Sequence, residues 1–456
     1  MNKKLIMVYV LVLVGLLEAR AEDVLQVTPF ATTAGVVEDE WKTFSIEMNN
    51  TQEYTALQFD LYLPEGLTLI EEGPMELNAD RFPGYVRKGV FYPEHEYECT
   101  KKDDRHYLIT LYHSDFGVIK ESEGELLIFY YETSSDMADG YYPITVSGTV
   151  LTIDSHNQVK PATSTSFVKI GEPEKFDAST LSGYIPSFVA SAIPADEAAY
   201  DFSHVDEMEE GFTPTNPNAI QYVKAESSYA AMAAGNVVMD GVCENLVLTD
   251  GYSFAAPESF TATKASYTRN AANDWGTICL PYAVESNGSV QFYQLKEVAE
   301  DAFVFGKVAG LAAGEPGVFV RLDDNNIVLN AENATICTAV GEGTESAGMT
   351  IVGIFDNTRV DVDDSAPSYY IKSNAFCKGT GYFTVPAFRA YFQSAVFSSI
   401  KAYKIAVEDE ITGVQTVVGM MDAANSAIYN LNGQVVESSL MKGIYIQNEK
   451  KFFINK

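Results

Sequence analysis

Cysteine is scarce in this chain of 456 residues and follows no pattern. The five thiols are Cys99, Cys243, Cys279, Cys337 and Cys377, an odd number with no C-x-x-C pair among them. That excludes a zinc ribbon and a thioredoxin-like motif, and it offers no disulfide framework. The thiols read instead as small buried apolar side chains. Histidine is as rare, with His95, His106, His113, His156 and His204. There is no H-E-x-x-H, since His95-Glu96 runs into Tyr97-Glu98-Cys99. There is no G-x-S-x-G elbow, since Gly251-Tyr252-Ser253 continues as Phe254-Ala255. Gly341-Glu342-Gly343 lacks the third glycine of a dinucleotide fingerprint, and no P-loop occurs. Positive charge is short as well: 30 Lys and Arg face 63 Asp and Glu, a net charge of -33. Such a polyanion repels nucleic acid and anionic lipid surfaces, so neither is expected as a partner. Beyond the first twenty residues no apolar run is long enough to span a bilayer, so no membrane span is expected.

What is present begins with a leader. Lys3-Lys4 is followed by an apolar run from Leu5 to Leu17 and by Ala19-Arg20-Ala21, with small residues where a signal peptidase reads. Residues 1–21 are expected to be a signal peptide, cleaved between Ala21 and Glu22. The residue next to that site is Glu22 rather than cysteine, which argues against a lipoprotein anchor. The mature chain is expected outside the cytoplasm.

Apolar residues make up 46%, with 27 Tyr and 26 Phe against 2 Trp, a balance that favours strands. The length suggests about three domains. Leucine or phenylalanine at 57, 59, 61 and 63 alternates with Gln58, Asp60 and Tyr62, the period of a strand with one face in a core. Pro64-Glu65-Gly66 ends it. Further strands are expected at 41–46, 107–112, 125–131 and 142–146, separated by turn residues, which gives an N-terminal β-sandwich over 22–171. Ala56 to Leu67, Gly124-Glu125-Leu126-Leu127-Ile128-Phe129-Tyr130 and Gly140-Tyr141-Tyr142-Pro143-Ile144 together resemble the strands of cohesin-type domains, a sandwich related to carbohydrate-binding modules. The resemblance implies a scaffold, and no dockerin-contact residue can be placed on it.

Residues 172–255 are acidic and irregular, then show short apolar runs at 220–223, 236–241 and 245–248 broken by Asn and Asp-Gly. These resemble the terminal rungs of a leucine-rich or other β-solenoid and are expected to dock on a neighbouring domain. Residues 256–408 read as a second β-domain, with strands at 277–284, 290–295, 303–308, 317–322, 349–354, 369–372 and 389–393. In the tail, 409–456, Asn432-Gly433 is a hairpin turn signal. Its Tyr429-x-x-x-Gly433, Lys442-Gly443-Ile444-Tyr445 and basic end resemble the sorting tails of the type IX secretion system, as in surface proteins of gut and oral Gram-negative anaerobes. The fold class expected is therefore all-β and multi-domain.

Few residues offer chemistry. His95, His106 and His113 share one sandwich, where imidazoles on neighbouring strands could hold a metal, or simply sit on strand edges. Asp361-Val362-Asp363-Asp364 and Asp323-Asp324-Asn325-Asn326 could bind Ca2+ through oxygens, or be solvated turns. Trp275 could be an exposed platform for a sugar ring or a packing anchor. No catalytic motif emerges. The function expected is non-catalytic binding or cell adhesion at the cell surface, with an extracellular protein or glycan as partner. A glycan-processing hydrolase with paired carboxylates and a structural surface component are the competing readings.

Overall fold

The computed structural model describes residues 23–408, apart from 37–40, 116, 121–122, 182, 272, 323–325, 342–343, 347, 364 and 396–399; beyond them it describes the backbone of the strands Thr416–Val418, Ile428–Asn430, Gly443–Gln447 and Lys450–Ile454. Its regular elements are nearly all strands, in several separate sheets. The chain divides into two compact units, one running to Pro194 with His204–Phe212, the other holding Ala195–Ser203 and the chain from Thr213.

The first unit is a sandwich. Its strands are β1 (Val24–Val27), β2 (Phe30–Thr32), β3 (Lys42–Asn49), β4 (Ala56–Tyr62), β5 (Leu67–Leu69), β6 (Met75–Leu77), β7 (Gly84–Arg87), β8 (Val90–Pro93), β9 (Glu96–Lys101), β10 (His106–Tyr112), β11 (Glu125–Thr133), β12 (Gly140–Thr152), β13 (Gln158–Val159) and β14 (Ser164–Ile170). One sheet is ordered β1-β3-β11-β5, with β6 also on β11; the other is β2-β14-β12-β4-β10-β9, with β13 on β12. Pro29, which has no N–H to give a ladder, lies where the chain leaves the first sheet at β1 and enters the second at β2. The alternation in β4 does what its period requires: Leu57, Phe59 and Leu61 are buried, and so are Tyr107, Ile109 and Leu111 opposite them in β10. Phe44 stacks on Phe30 and Phe129 at ring separations of 5.3 Å, joining the two sheets through one core. On the outer edge of β1 the carbonyls of Leu25 and Val27 accept hydroxyl hydrogen bonds from Ser164 (2.6 Å) and Ser166 of β14.

The second unit opens with three short strands, two of them at the runs expected over 220–223 and 236–241. Ala199–Phe202, Ile220–Val223 and Asn236–Met239 lie parallel. Asp240-Gly241, both at positive φ (49° and 74°), then reverses the chain into Val242–Thr249. That strand runs parallel to Phe260–Asn270, which pairs antiparallel with Asn326–Ile336. One sheet therefore crosses the boundary expected at 255, and a single core runs from Ile220 to Phe388. The rungs share a sheet with these two long strands because their own apolar face is too small to bury alone. Two fully buried amides hold the rung loops. Asn218 donates to the carbonyls of Thr249 (2.9 Å) and Tyr252 (2.7 Å) and accepts from the Thr249 N–H (2.6 Å). Asn236 does the same for Val247 (N–H to Oδ1, 2.9 Å).

A larger sheet comes next, running from Trp275–Ile278 through Gly317–Arg321, Val290–Val298, Ala302–Val308 and Ala402–Val407 to Ala375–Lys378, Ser368–Lys372, Arg389–Ser394 and Met349–Ile354. Phe292 and Phe319 of this sheet join the core of the rungs, while Leu295 and Val318 join a second, aromatic-rich core with Phe303, Phe376 and Phe392. The strand expected over 277–284 stops at Ile278 and resumes at Val284, because Pro281 cannot serve the ladder. In the tail, Gly443–Gln447 pairs with both Ile428–Asn430 and Lys450–Ile454; the Asn432-Gly433 turn lies outside the described residues.

Candidate functional site

Packing dictates which residues the larger sandwich sheet shows to solvent. With Leu57, Phe59 and Leu61 taken by the core, β4 turns Gln58, Asp60 and Tyr62 outward, and β10 turns out His106, Leu108, Thr110 and Tyr112. The register sets His106 opposite Tyr62 and Leu108 opposite Asp60. The His106 and Tyr62 rings stack with centroids 4.4 Å apart and planes 15° from parallel. His106 Nε2 lies 2.7 Å from Asp60 Oδ1, so the carboxylate orients the imidazole from the diagonal position. On the other flank of β4, β12 places Thr145 opposite Tyr62 and Ser147 opposite Asp60. Thr145 is hydrogen-bonded in turn to Thr165 (3.0 Å). After Ser147 the strand bulges through Gly148, at φ 58°, and a Cβ there would sit 2.6 Å from Asp60 Oδ2. Only glycine permits both that conformation and that approach. Farther along β10 the Tyr112 hydroxyl donates to Glu96 (2.7 Å), and that acceptor holds the phenol above its ordinary pKa. The result is a flat face with two accessible tyrosines, a carboxylate-oriented imidazole and a fringe of hydroxyls and acids.

The three histidines do not converge. His106 belongs to the outer face, whereas His113 lies beyond the far end of β10. His113 packs edge-on against His95 with centroids 5.1 Å apart. His95 is 3% exposed and lies 5.1 Å from the Phe82 ring, and among the described residues neither ring nitrogen has a well-formed hydrogen bond, the Gly117 backbone being a polar influence on the ring. Burial, and then the neighbouring His113, push its pKa down to about 4. His113 is itself engaged: Nδ1 accepts from the Asp115 N–H (3.0 Å), and Nε2 is 3.6 Å from Glu94. Among the described residues no group of three His, Cys, Asp or Glu side chains is placed to hold a metal ion. Of the acidic turns raised for Ca2+, Asp361 pairs with Arg359 (3.0 Å) and Asp363 accepts from Ser365 (2.8 and 2.7 Å). Asp323, Asp324, Asn325 and Asp364 lie outside the described residues, as do Ala21 and Glu22 of the expected cleavage site.

Trp275 is not an exposed platform. It is 5% exposed and packs on Tyr293 and Phe305, with centroids 5.2 and 6.2 Å away. It starts a strand whose four residues are all buried, so neither ring face is free for a sugar. Each of the five cysteines is a free thiol. A groove of about 400 Å³ also opens in the first unit, lined by Gln26, Thr163, Ser164 and Phe188 among others. The alternation of β4 already placed Asp60 and Tyr62 outward, but the partner strand that brings His106 to them is a long-range pairing with no local signal.

No protein-family model matches the chain, and no curated protein matches it. About a third of the chain is similar in structure to type I cohesin domains. The sixth cohesin of scaffoldin B from Acetivibrio cellulolyticus, solved in complex with a dockerin, is 13% identical; the match covers 33% of this chain and 100% of that one, with a TM-score of 0.26. The seventh type I cohesin of the scaffoldin ScaB from Pseudobacteroides cellulosolvens is 12% identical, covering 33% and 94%, with a TM-score of 0.26. A non-cellulosomal cohesin from the hyperthermophilic archaeon Archaeoglobus fulgidus is 15% identical, covering 33% and 93%, with a TM-score of 0.24.

Proposed function

We propose that this chain is a non-catalytic binding protein that works outside the cell, and that its first unit recognises a protein partner through the outer face of the β4-β10-β12 sheet. What carries the reading is the cluster of Tyr62, His106 and Asp60. Its rings are held flat by stacking, its imidazole is oriented by a carboxylate, and all three sit on rigid strands rather than loops. Accessible tyrosines with polar neighbours on a preorganised surface are the composition of protein-binding patches, because they give contact area at little cost in conformational entropy. A protein partner suits a flat strand face better than a small glycan, which needs a concavity to bury most of its surface. The leader and the tail supply the location in this reading, export for the first and surface retention for the second.

The test uses the mature chain as bait for extracellular proteins, compared with a Tyr62→Ala/His106→Ala variant. The partner should be retained by the wild type and lost by the variant while both melt alike. Equal retention by both rejects the face. Unchanged surface exposure of a chain ending at residue 408 rejects the role given to the tail.

A further inference from the structure

The hairpin of β7 and β8 stands apart from both sandwich sheets. Its strands pair only with each other, so among the described residues each keeps an open edge of backbone N–H and C=O groups. The turn is Lys88-Gly89, both at positive φ (54° and 81°), the geometry that matches the twist of a two-residue hairpin. The register gives the hairpin two faces. Gly84, Val86, Phe91 and Pro93 share one, and Phe91 packs against the sandwich core where a Cβ on Gly84 would meet its ring at 2.5 Å. The other face carries Tyr85, Arg87, Val90 and Tyr92. There the Tyr85 and Tyr92 rings stack on each other (5.3 Å, 12°), yet the residues remain 59% and 42% exposed, with Val90 at 54%. Val86, on the same face as Phe91, is itself 68% exposed, so Phe91 is the hairpin's tie to the core. Stacked, exposed tyrosines beside an arginine, on an element tied down in this way, are poor choices for a mere connector. Arg87 and Lys88 also put two exposed cations at the tip of a chain whose net charge is -33.

We infer that this hairpin is a docking finger for an extended acidic segment of a partner protein, which adds as a third strand to the β7-β8 ribbon. The open edges give main-chain ladder positions, which a lipid surface or a glycan has no means to use. Tyr85, Val90 and Tyr92 give an apolar strip for alternate side chains of the added strand. Arg87 and Lys88 give the complement for its carboxylates, while the acidic remainder of the chain disfavours the same segment elsewhere. The surface differs from the β4-β10-β12 face, so the two can fail separately.

The experiment measures binding of a fluorescent acidic peptide of alternating Glu and Val to the mature chain by anisotropy, beside a heparin-derived oligosaccharide and phosphatidylserine vesicles. The peptide should bind, and weaken about tenfold or more in Tyr85→Ala/Tyr92→Ala and in Arg87→Gln/Lys88→Asn. It should also weaken when alternate peptide nitrogens are methylated and the ladder is blocked. All substituted side chains are exposed, and asparagine tolerates the left-handed backbone at position 88, so the variants should melt with the wild type. Absence of peptide binding, equal binding by the hairpin variants or the methylated peptide, or preference for the oligosaccharide or the vesicles overturns the inference.

Discussion

Arg389 and Asp250 hold each other through both pairs of polar atoms, Nη1 to Oδ1 at 2.7 Å and Nη2 to Oδ2 at 2.9 Å. The Tyr267 hydroxyl completes the group, donating to Asp250 (2.5 Å) and accepting from Arg389 (2.8 Å). The pair ties the loop after Val242–Thr249 to the strand Arg389–Ser394 of the larger sheet. Removing one partner leaves the other charged and largely buried, so Asp250→Asn or Arg389→Met should each cost about 3–5 kcal/mol in urea unfolding. The double variant should cost less than the two singles together. Burial raises the Asp250 carboxyl pKa, but the Arg389 hydrogen bond and charge lower it further, leaving it below the ordinary range. Its contribution is therefore complete near neutral pH and is lost as pH falls through that depressed value. Asp250→Asn should remove this part of the acid sensitivity.

His95 should make the sandwich acid-sensitive at milder pH. Its folded pKa, about 4, lies below the ordinary 6.5, so the unfolded chain takes up the proton first. Stability from the neutral ring is present above pH 6.5 and is lost as pH falls toward 4, on the order of 3 kcal/mol in all. Glu94 and His113 face the same ring cluster and bear on its charge. His95→Phe, which keeps an apolar ring beside Phe82, should flatten the fall of the urea midpoint between pH 7 and 4.5. An unchanged slope would show that the acid response lies elsewhere.

Asn218 should be hard to replace. Its fully buried amide serves three backbone groups, the carbonyls of Thr249 and Tyr252 and the Thr249 N–H. Asn218→Leu should cost about 1–3 kcal/mol, since it removes three hydrogen bonds made by a buried amide. Hydrogen exchange should show the Thr249 amide losing protection first.

Trp275→Ala should act on stability rather than on recognition. A buried indole leaving the Tyr293–Phe305 contact should cost about 3–5 kcal/mol, seen as a lower melting temperature. Trp275→Phe should recover much of it.

The sequence was most informative where one face of a strand is wet. Leu57, Phe59 and Leu61 alternate cleanly, and β4 formed where that alternation placed it; β3, β10 and β11 lie within one to three residues of their expected positions. Phe260–Asn270 and Asn326–Ile336, the longest pair of the second unit, had no such signal. Their buried positions include Ala262, Ala265 and Ala334, small residues that raise no hydrophobic period. Trp275 was ambiguous for a related reason: a strand buried on both faces, as Trp275–Ile278 is, leaves no polar residue to say which way a ring points. The Tyr62–His106–Asp60 cluster depends on strands more than forty residues apart, and no local pattern encodes which strand will lie beside which.

A chain whose regular elements are almost all strands must also avoid growing by them. β1 is one edge of the smaller sandwich sheet, β5 and β6 forming the other, and the Ser164 and Ser166 hydroxyls already occupy the Leu25 and Val27 carbonyls on its outer side. A newcomer would have to displace two made hydrogen bonds before forming its own. Those two hydroxyls thus fasten β1 to the facing sheet through backbone acceptors that its own ladder leaves over, and Ser164→Val/Ser166→Val should strand both carbonyls and lower the melting temperature of the sandwich.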